Sequence, residues 1–301
     1  MADPANTPPL ERPSVIAAHA LIKEYIHYTP VLTNTTLNDL ASTPQSASSL
    51  AGTPWAGQEP AKPKIRFWFK CENFQKVGAF KVRGAFHALK RNHAQALALA
   101  ARTMGVPAHI VMPTISTPSK IAATKGYGAT VIFSGSTSTE REAVVEGIIK
   151  QTGARLIPPY DHPNIMLGQG TLGLELQEQV SQMNGGSKGP DAIIAPCGGG
   201  GMLSGVALSC EGTGIQVFGA EPEFEGADDC KRGLESGKRI ETVKTLTIAD
   251  GLRTPVGAYP WTVIHDRKLV RQMFSVTEEQ IKAALRLVLE RMKMVVEPSA
   301  V

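Results

Sequence analysis

Lys81 stands where a single amine can do chemistry. An apolar run from Ile65 to Phe69 and a polar stretch from Glu72 to Gly78 precede it. Helical spacing then continues from Phe80 through Leu89. A lysine at such a strand-to-helix junction stands at the mouth of an α/β sheet, where small ligands bind. Burial can remove its proton and leave a carbonyl-reactive amine. A surface lysine in the first turn of a helix has the same local sequence, so the segment alone leaves both readings open.

Three further groups have types and spacings that suit a ligand. Gly198, Gly199, Gly200 and Gly201 follow the apolar run IIAP and precede the helical run beginning at Met202. Successive amides without side chains at a helix N-terminus form a cradle for a phosphate dianion. A glycine run is also what a plain loop looks like, and the spacing is not that of a dinucleotide fingerprint. Asn92 sits just before the helical run from His93, in an N-cap position. Glu221 and Asp229 flank a turn after the strand-like QVFGA, as solvated loop acids or as oxygen ligands for a hard cation.

The elements that must position these residues are regular from Val106 onward. Strands are expected at Ala108–Met112, Thr130–Phe133, Ala192–Ala195 and Gln216–Ala220. Helices are expected at Pro118–Lys125, Thr139–Thr152, Leu167–Gln182, Met202–Cys210 and Glu278–Met294. This alternation predicts an α/β fold with parallel sheets covered by helices. Residues 1–10 read as a disordered leader. Pro13 and Ser14 open a helix with Val15, Ile16, Leu21, Ile22 and Tyr25 as its apolar positions. Residues 41–63, dense in Ser, Pro, Ala and Gly, read as a flexible insertion.

Composition bounds the rest. The chain has 301 residues, 42% of them hydrophobic and 19% charged, as in ordinary globular enzymes, and a formal charge of +4 without a basic run. Charge therefore lends no support to a nucleic-acid or membrane-surface role. Four dispersed cysteines, no apolar leader and no membrane-length apolar run lead us to expect a cytoplasmic protein.

FKVRGA around Lys81 resembles the cofactor-lysine motif of the fold-type II pyridoxal-phosphate enzymes, in the serine/threonine dehydratase and serine racemase branch, with Ala79 in place of the usual serine. The resemblance continues through NHAQALALAA from Asn92, CGGGGMLSG from Cys197, GAEP from Gly219 and GADD from Gly226. ADGLRTPVG from Ala249 and VEPSA from Val296 complete it, so it spans most of residues 11–301. It implies the tryptophan synthase beta-like fold, two three-layer parallel-sheet domains with pyridoxal 5'-phosphate in the cleft between them. The small subdomain would span about residues 70–150. It further implies that Lys81 carries the cofactor, flanked by Phe80, and that Asn92 bonds the ring's phenolic oxygen. Gly198 to Gly201 and Met202 would hold the phosphate, Glu297 would lie near the ring, and Thr254 would approach the substrate carboxylate. Glu221, Asp229 and the carbonyl near Ala227 would bind Mg2+ or Ca2+. The expected activity is ammonia loss from L-serine or L-threonine, giving a 2-oxo acid, with serine racemisation and 3-hydroxyaspartate dehydration as relatives of that chemistry. A small amino-acid substrate and a homodimer are the partners the resemblance implies.

The chain departs from this pattern twice. Only ten residues, 82–91, separate Lys81 from Asn92. The family places the end of a helix, a strand and a Ser-Ser-Gly loop there, and ten residues cannot supply them all. That loop normally contacts the substrate carboxylate. The sequence also ends at Val301, before the family's segment bearing a partner for the pyridine nitrogen. The competing expectation is therefore a non-catalytic paralogue that binds cofactor weakly or serves as an oligomer partner.

Overall fold

Strand-helix alternation becomes two parallel sheets in the computed structural model, which describes residues 6–53, 55–89, 95–116, 118–135, 138–154, 156, 158–186 and 188–301. The chain begins with α1 (Arg12–Ile22), β1 (Val31–Leu32), α2 (Thr35–Ser42), β2 (Phe69–Lys70), α3 (Lys81–Leu89) and α4 (Gln95–Met104). A parallel pair follows, β3 (His109–Pro113) and β4 (Thr130–Ser134), joined by α5 (Pro118–Gly126) and trailed by α6 (Ser138–Thr152). Then come α7 (Pro163–Met183), β5 (Ala192–Pro196), α8 (Gly201–Cys210), β6 (Gln216–Pro222), α9 (Asp229–Ser236), α10 (Ala258–Trp261), β7 (Gln272–Val276) and α11 (Glu278–Leu287).

β5, β6 and β7 form a parallel sheet in that order, with Ala192 opposite Gln216 and Phe218 opposite Gln272. Strand β7 was not expected from sequence. It has only short apolar alternation and no turn signal on its N-terminal side. The main core lies against this sheet, where Ile193, Ala195 and Val217 meet Leu203, Val206 and Ala207 of α8 and Met166, Leu167 and Leu176 of α7. Those side chains are the every-other-residue face of the strands and the matching helix stripes.

Glycines decide how closely the central helices approach. On α7, a Cβ at Gly168 would lie 2.6 Å from the Cα of Gly84 on α3 and 2.7 Å from the Arg83 carbonyl. One at Gly170 would lie 2.5 Å from the Gly205 carbonyl on α8. Real Cβ atoms do not tolerate such distances, so α7 touches both α3 and α8 backbone to backbone.

Several expectations change. The strand placed at Ile65–Phe69 shrinks to Phe69–Lys70, because its antiparallel partner is only Val31–Leu32. In α1 the buried stripe is Ser14, Val15, Ala18 and Ile22, while Ile16 and Leu21 turn outward. Leu10, assigned to the leader, packs against the core, and its carbonyl accepts a hydrogen bond from Arg267. The ends of the 41–63 insertion are clipped together, Ile65 N–H donating to Ser42 Oγ at 2.9 Å. The last helix stops at Leu287 and continues as a π turn over Val288–Met292, ending at Lys293 with φ 57°. Helix α3 spans Lys81–Leu89 and α4 begins at Gln95, and the residues between them, 90–94, lie outside the described residues.

Candidate active site

The glycine loop lies at the carboxyl end of β5, the position from which α/β sheets present ligands. Gly200, with φ 80°, is the N-cap of α8, and its left-handed backbone turns the chain into the helix. The first backbone bond of α8 runs from Ser204 N–H to the Gly200 carbonyl at 2.9 Å. The amides ahead of it, through Met202, are the donors that every helix start leaves without an intrahelical partner. The four residues ahead of Met202 carry no Cβ atoms, and such donors at a helix start suit a phosphate.

What surrounds the loop is equally defined. A Cβ at Gly198 would lie 2.8 Å from the Leu252 Cα, and one at Gly199 would strike the Tyr160 ring. A bulky residue at 199 therefore displaces Tyr160 first, rather than simply filling a phosphate's place. Burial pushes the Tyr160 hydroxyl's pKa up, with Asp161 adding to the effect. The Gly199 carbonyl accepts from Gly257 N–H at 3.1 Å. Thr254, half-buried, lies three residues before that tie. Gly251 N–H donates to Ser299 Oγ at 3.0 Å, and a Cβ at Gly251 would lie 3.7 Å from Glu297 Oε1. Thr254 and Glu297, far apart in sequence, are thus drawn to the segment that packs on the glycine loop.

Lys81 is the first residue of α3 and is exposed, its Nζ 5.2 Å from the centre of the Phe80 ring. Phe80 packs against the main core, which also includes Cys197 beside the glycine loop. Asn92 lies outside the described residues.

Two residues after Lys81, the fully buried Arg83 guanidinium anchors the helix. It donates to Glu72 Oε2 and Oε1 at 2.7 and 2.8 Å and to Glu175 Oε1 and Oε2 at 2.7 and 2.8 Å. Lys70 Nζ donates to Glu175 Oε2 at 2.7 Å, and His19 Nε2 lies 3.3 Å from Oε1. Burial alone would raise the Glu175 pKa. Bonds from His19 and Arg83, with the charges of Arg83 and Lys70, outweigh it and hold the group at about 2. Sequence reading missed this network, because Arg83 and Glu175 are separated by more than ninety residues. The only local signal was an arginine inside an otherwise apolar helix face.

Glu221 and Asp229 are both buried, together with Ala227 between them. Glu221 accepts backbone N–H bonds from Cys230 at 3.1 Å and Lys231 at 2.9 Å, in the first turn of α9. Burial, reinforced by Asp229, raises its pKa to about 8. Asp229 Oδ2 accepts from Val256 N–H at 2.9 Å, and burial lifts its pKa to about 6. Among the described residues no basic side chain pairs with Glu221. Two thiols, Cys197 Sγ and Cys230 Sγ, gather beside its carboxylate instead, the three groups lying within 4.8 Å of one another. Sequence spacing gave no hint of this cluster, which depends on Cys197 N–H reaching the Ala220 carbonyl at 2.8 Å across the sheet.

Comparison with known proteins sets this geometry in a family. The profile described as pyridoxal-phosphate dependent enzyme matches residues 92–301. An L-threo-3-hydroxyaspartate ammonia-lyase from Saccharomyces cerevisiae is 38% identical over 95% of this chain and 83% of its own length. A serine racemase from Dictyostelium discoideum is 40% identical over 94% of this chain and 83% of its own. The solved structure of maize serine racemase superposes with a TM-score of 0.82 at 36% identity, covering 96% of this chain and 83% of that one. No helix among the described residues is long and apolar enough to cross a membrane.

Proposed function

The chain belongs to the family of pyridoxal-phosphate-dependent enzymes and has their tryptophan synthase beta-like fold, and on that premise we propose an ammonia-lyase acting on L-serine or L-threonine, with serine racemisation as a companion activity. The observation that carries the assignment is the linkage of two sites through α7. The helix that begins at Lys81 and the helix that begins at the glycine loop both touch α7 backbone to backbone. A reactive amine and a phosphate cradle are thereby held in one frame.

Each group then has a task. The α8 amides bind the cofactor phosphate, and Met202 closes that end. Pyridoxal phosphate, when bound, supplies a carbonyl for amine condensation and a ring that accepts the charge left at the substrate Cα. The Lys81 amine would hold the cofactor and would be the group placed to move the substrate's Cα proton. Phe80 and Glu297 would border the ring, Asn92 would bond its phenolic oxygen, and Thr254 would approach the substrate carboxylate. The products of the proposed reaction would be a 2-oxo acid and ammonia. Glu221, Asp229 and the Ala227 carbonyl serve a hard cation, Mg2+ or Ca2+. Their support is two buried carboxylates, one of them with no basic partner among the described residues. We assign the small subdomain to about residues 70–150 and the large one to the remainder, and place the protein in the cytoplasm as a homodimer.

The test combines covalent mapping with turnover. Borohydride reduction of the cofactor-loaded protein should fix the label on Lys81; a label on Lys76 or Lys125 overturns the site. Pyruvate release from L-serine reads the lyase reaction directly, and 3-hydroxyaspartate tests the close alternative. A second reading, an impaired paralogue, is favoured by the ten residues, too few for a helix end, a strand and a loop, that separate Lys81 from Asn92. It predicts a labelled Lys81 with turnover lower by several powers of ten. Restoring a strand and Ser-Ser-Gly loop between Lys81 and Asn92 should then raise turnover. Equal rates with and without the restored loop would dismiss that reading.

A further inference from the structure

We propose that Cys197, Cys230 and Glu221 form a binding site for a thiophilic divalent cation of the zinc class, next to the glycine loop. All three residues are wholly buried, and their donor atoms lie within 4.8 Å of one another. For atoms so spaced, some point lies within about 2.8 Å of all three. Zinc's bonds to sulfur and oxygen are ~2.0–2.3 Å, so a contraction of well under 1 Å completes three ligands of a tetrahedral site. The fourth position is left for a water or another donor.

The set differs in kind from the oxygen donors assigned to Mg2+ or Ca2+. Two sulfurs select a soft or borderline cation, and only Glu221 is common to both sets. Asp229 does not join the thiol cluster, since its Oδ2 is turned to the Val256 amide. Fold geometry holds the donors in place. Cys197 is tied to β6 through the Ala220 carbonyl, Glu221 follows Ala220 on that strand, and Cys230 presents its amide to the Glu221 carboxylate. Cys197 Sγ lies 3.4 Å from the Gly198 carbonyl, which places the cation site one residue from the phosphate cradle. Binding requires both thiols and the Glu221 carboxyl to be deprotonated, so it consumes no oxidant and liberates up to three protons per cation. Because Glu221 is shared, zinc-class and magnesium-class ions compete.

The site needs no cofactor, so its test is independent of turnover. The reduced, metal-stripped protein is titrated with Co2+. The expected result is one equivalent bound, with sulfur-to-cobalt charge-transfer absorption and tetrahedral d–d bands at longer wavelength than the cofactor's. Zn2+ should bleach these bands. Cys197→Ala and Cys230→Ala should each cut the sulfur bands by about half or more and weaken Zn2+ binding at least ~10-fold, and the double variant should abolish the bands, whereas Asp229→Asn should keep them. If a cysteine variant fails to fold, X-ray absorption of the wild-type zinc form counts the sulfur scatterers directly, with two expected. Cobalt bound through oxygen and nitrogen alone, bands that survive removal of both thiols, or no cobalt uptake after reduction would each overturn the proposal.

Discussion

Glu175 and Glu221 are the same residue type, both buried in the same chain, and they titrate at opposite ends of the carboxylate range. Glu175 meets Arg83 bidentately, Lys70 and His19, and its pKa is about 2. Glu221 meets two backbone amides, two thiols and a neighbouring acid, and its pKa is about 8. Burial opposes ionisation at both positions, so the neighbours decide the outcome. The chain supplies the counter-charge for the first acid from its own side chains. For the second it supplies ligands and no charge. A region of the first kind holds a helix in place, and the region of the second kind is where we propose that a cation binds.

The contrast is tested hardest at Arg83. Arg83→Met leaves the buried Glu175 and the half-buried Glu72 without their main partner, and should cost about 3–5 kcal/mol or prevent folding. Urea unfolding measures this, and a loss below 1 kcal/mol would show that the network contributes little.

Acid should act through Glu175 next. Its folded pKa lies below the unfolded value near 4.5, so its contribution is complete above that pH and is lost as pH falls towards 2. The loss should be roughly 3 kcal/mol, and Glu175→Gln should flatten that limb of the stability curve.

Glu221 should slope the other way. Its folded pKa is raised, so in metal-free protein stability is greatest where the group is protonated and declines as pH rises from about 4.5 through about 8. Glu221→Gln should remove the decline and leave the metal-free protein about 1–2 kcal/mol more stable at pH 9. An unchanged slope in that variant would assign the decline to other groups. The smallest effect belongs to Lys70→Met. Burial lowers the Lys70 pKa, and the bidentate Arg83 remains on Glu175, so the loss should be near 1 kcal/mol by denaturant midpoint. A loss as large as that of Arg83→Met would make the lysine an equal partner.

The site was legible in sequence wherever its signal was local. Gly198 to Gly201 between an apolar run and a helix, and Lys81 at a helix start, are patterns of adjacent residues, and they stand at the ends of α8 and α3 as expected. The parallel pairing of β5 with β6 followed from alternation. Strand β7 did not, because its exposed Gln272 and Phe274 blur the apolar pattern. Signals that depend on the tertiary fold were silent. Cys197 and Cys230 meet only because the β5–β6 register brings residue 197 beside residue 220. The glycines of α7 read as ordinary helix weaknesses until α3 and α8 are seen resting on them.

Those glycine contacts make α7 a ruler. Where two helices meet through side chains, their spacing drifts with every substitution and with every rotamer change in the core. Here the spacing from α3 to α7 and from α7 to α8 is set by main-chain atoms in contact at Gly84, Gly168, Gly170 and Gly205. Main-chain dimensions do not mutate. The distance from the Lys81 helix to the glycine loop is therefore insulated from change in most of the surrounding core, and it is exposed at four positions where the smallest possible addition, one methyl group, would reset it.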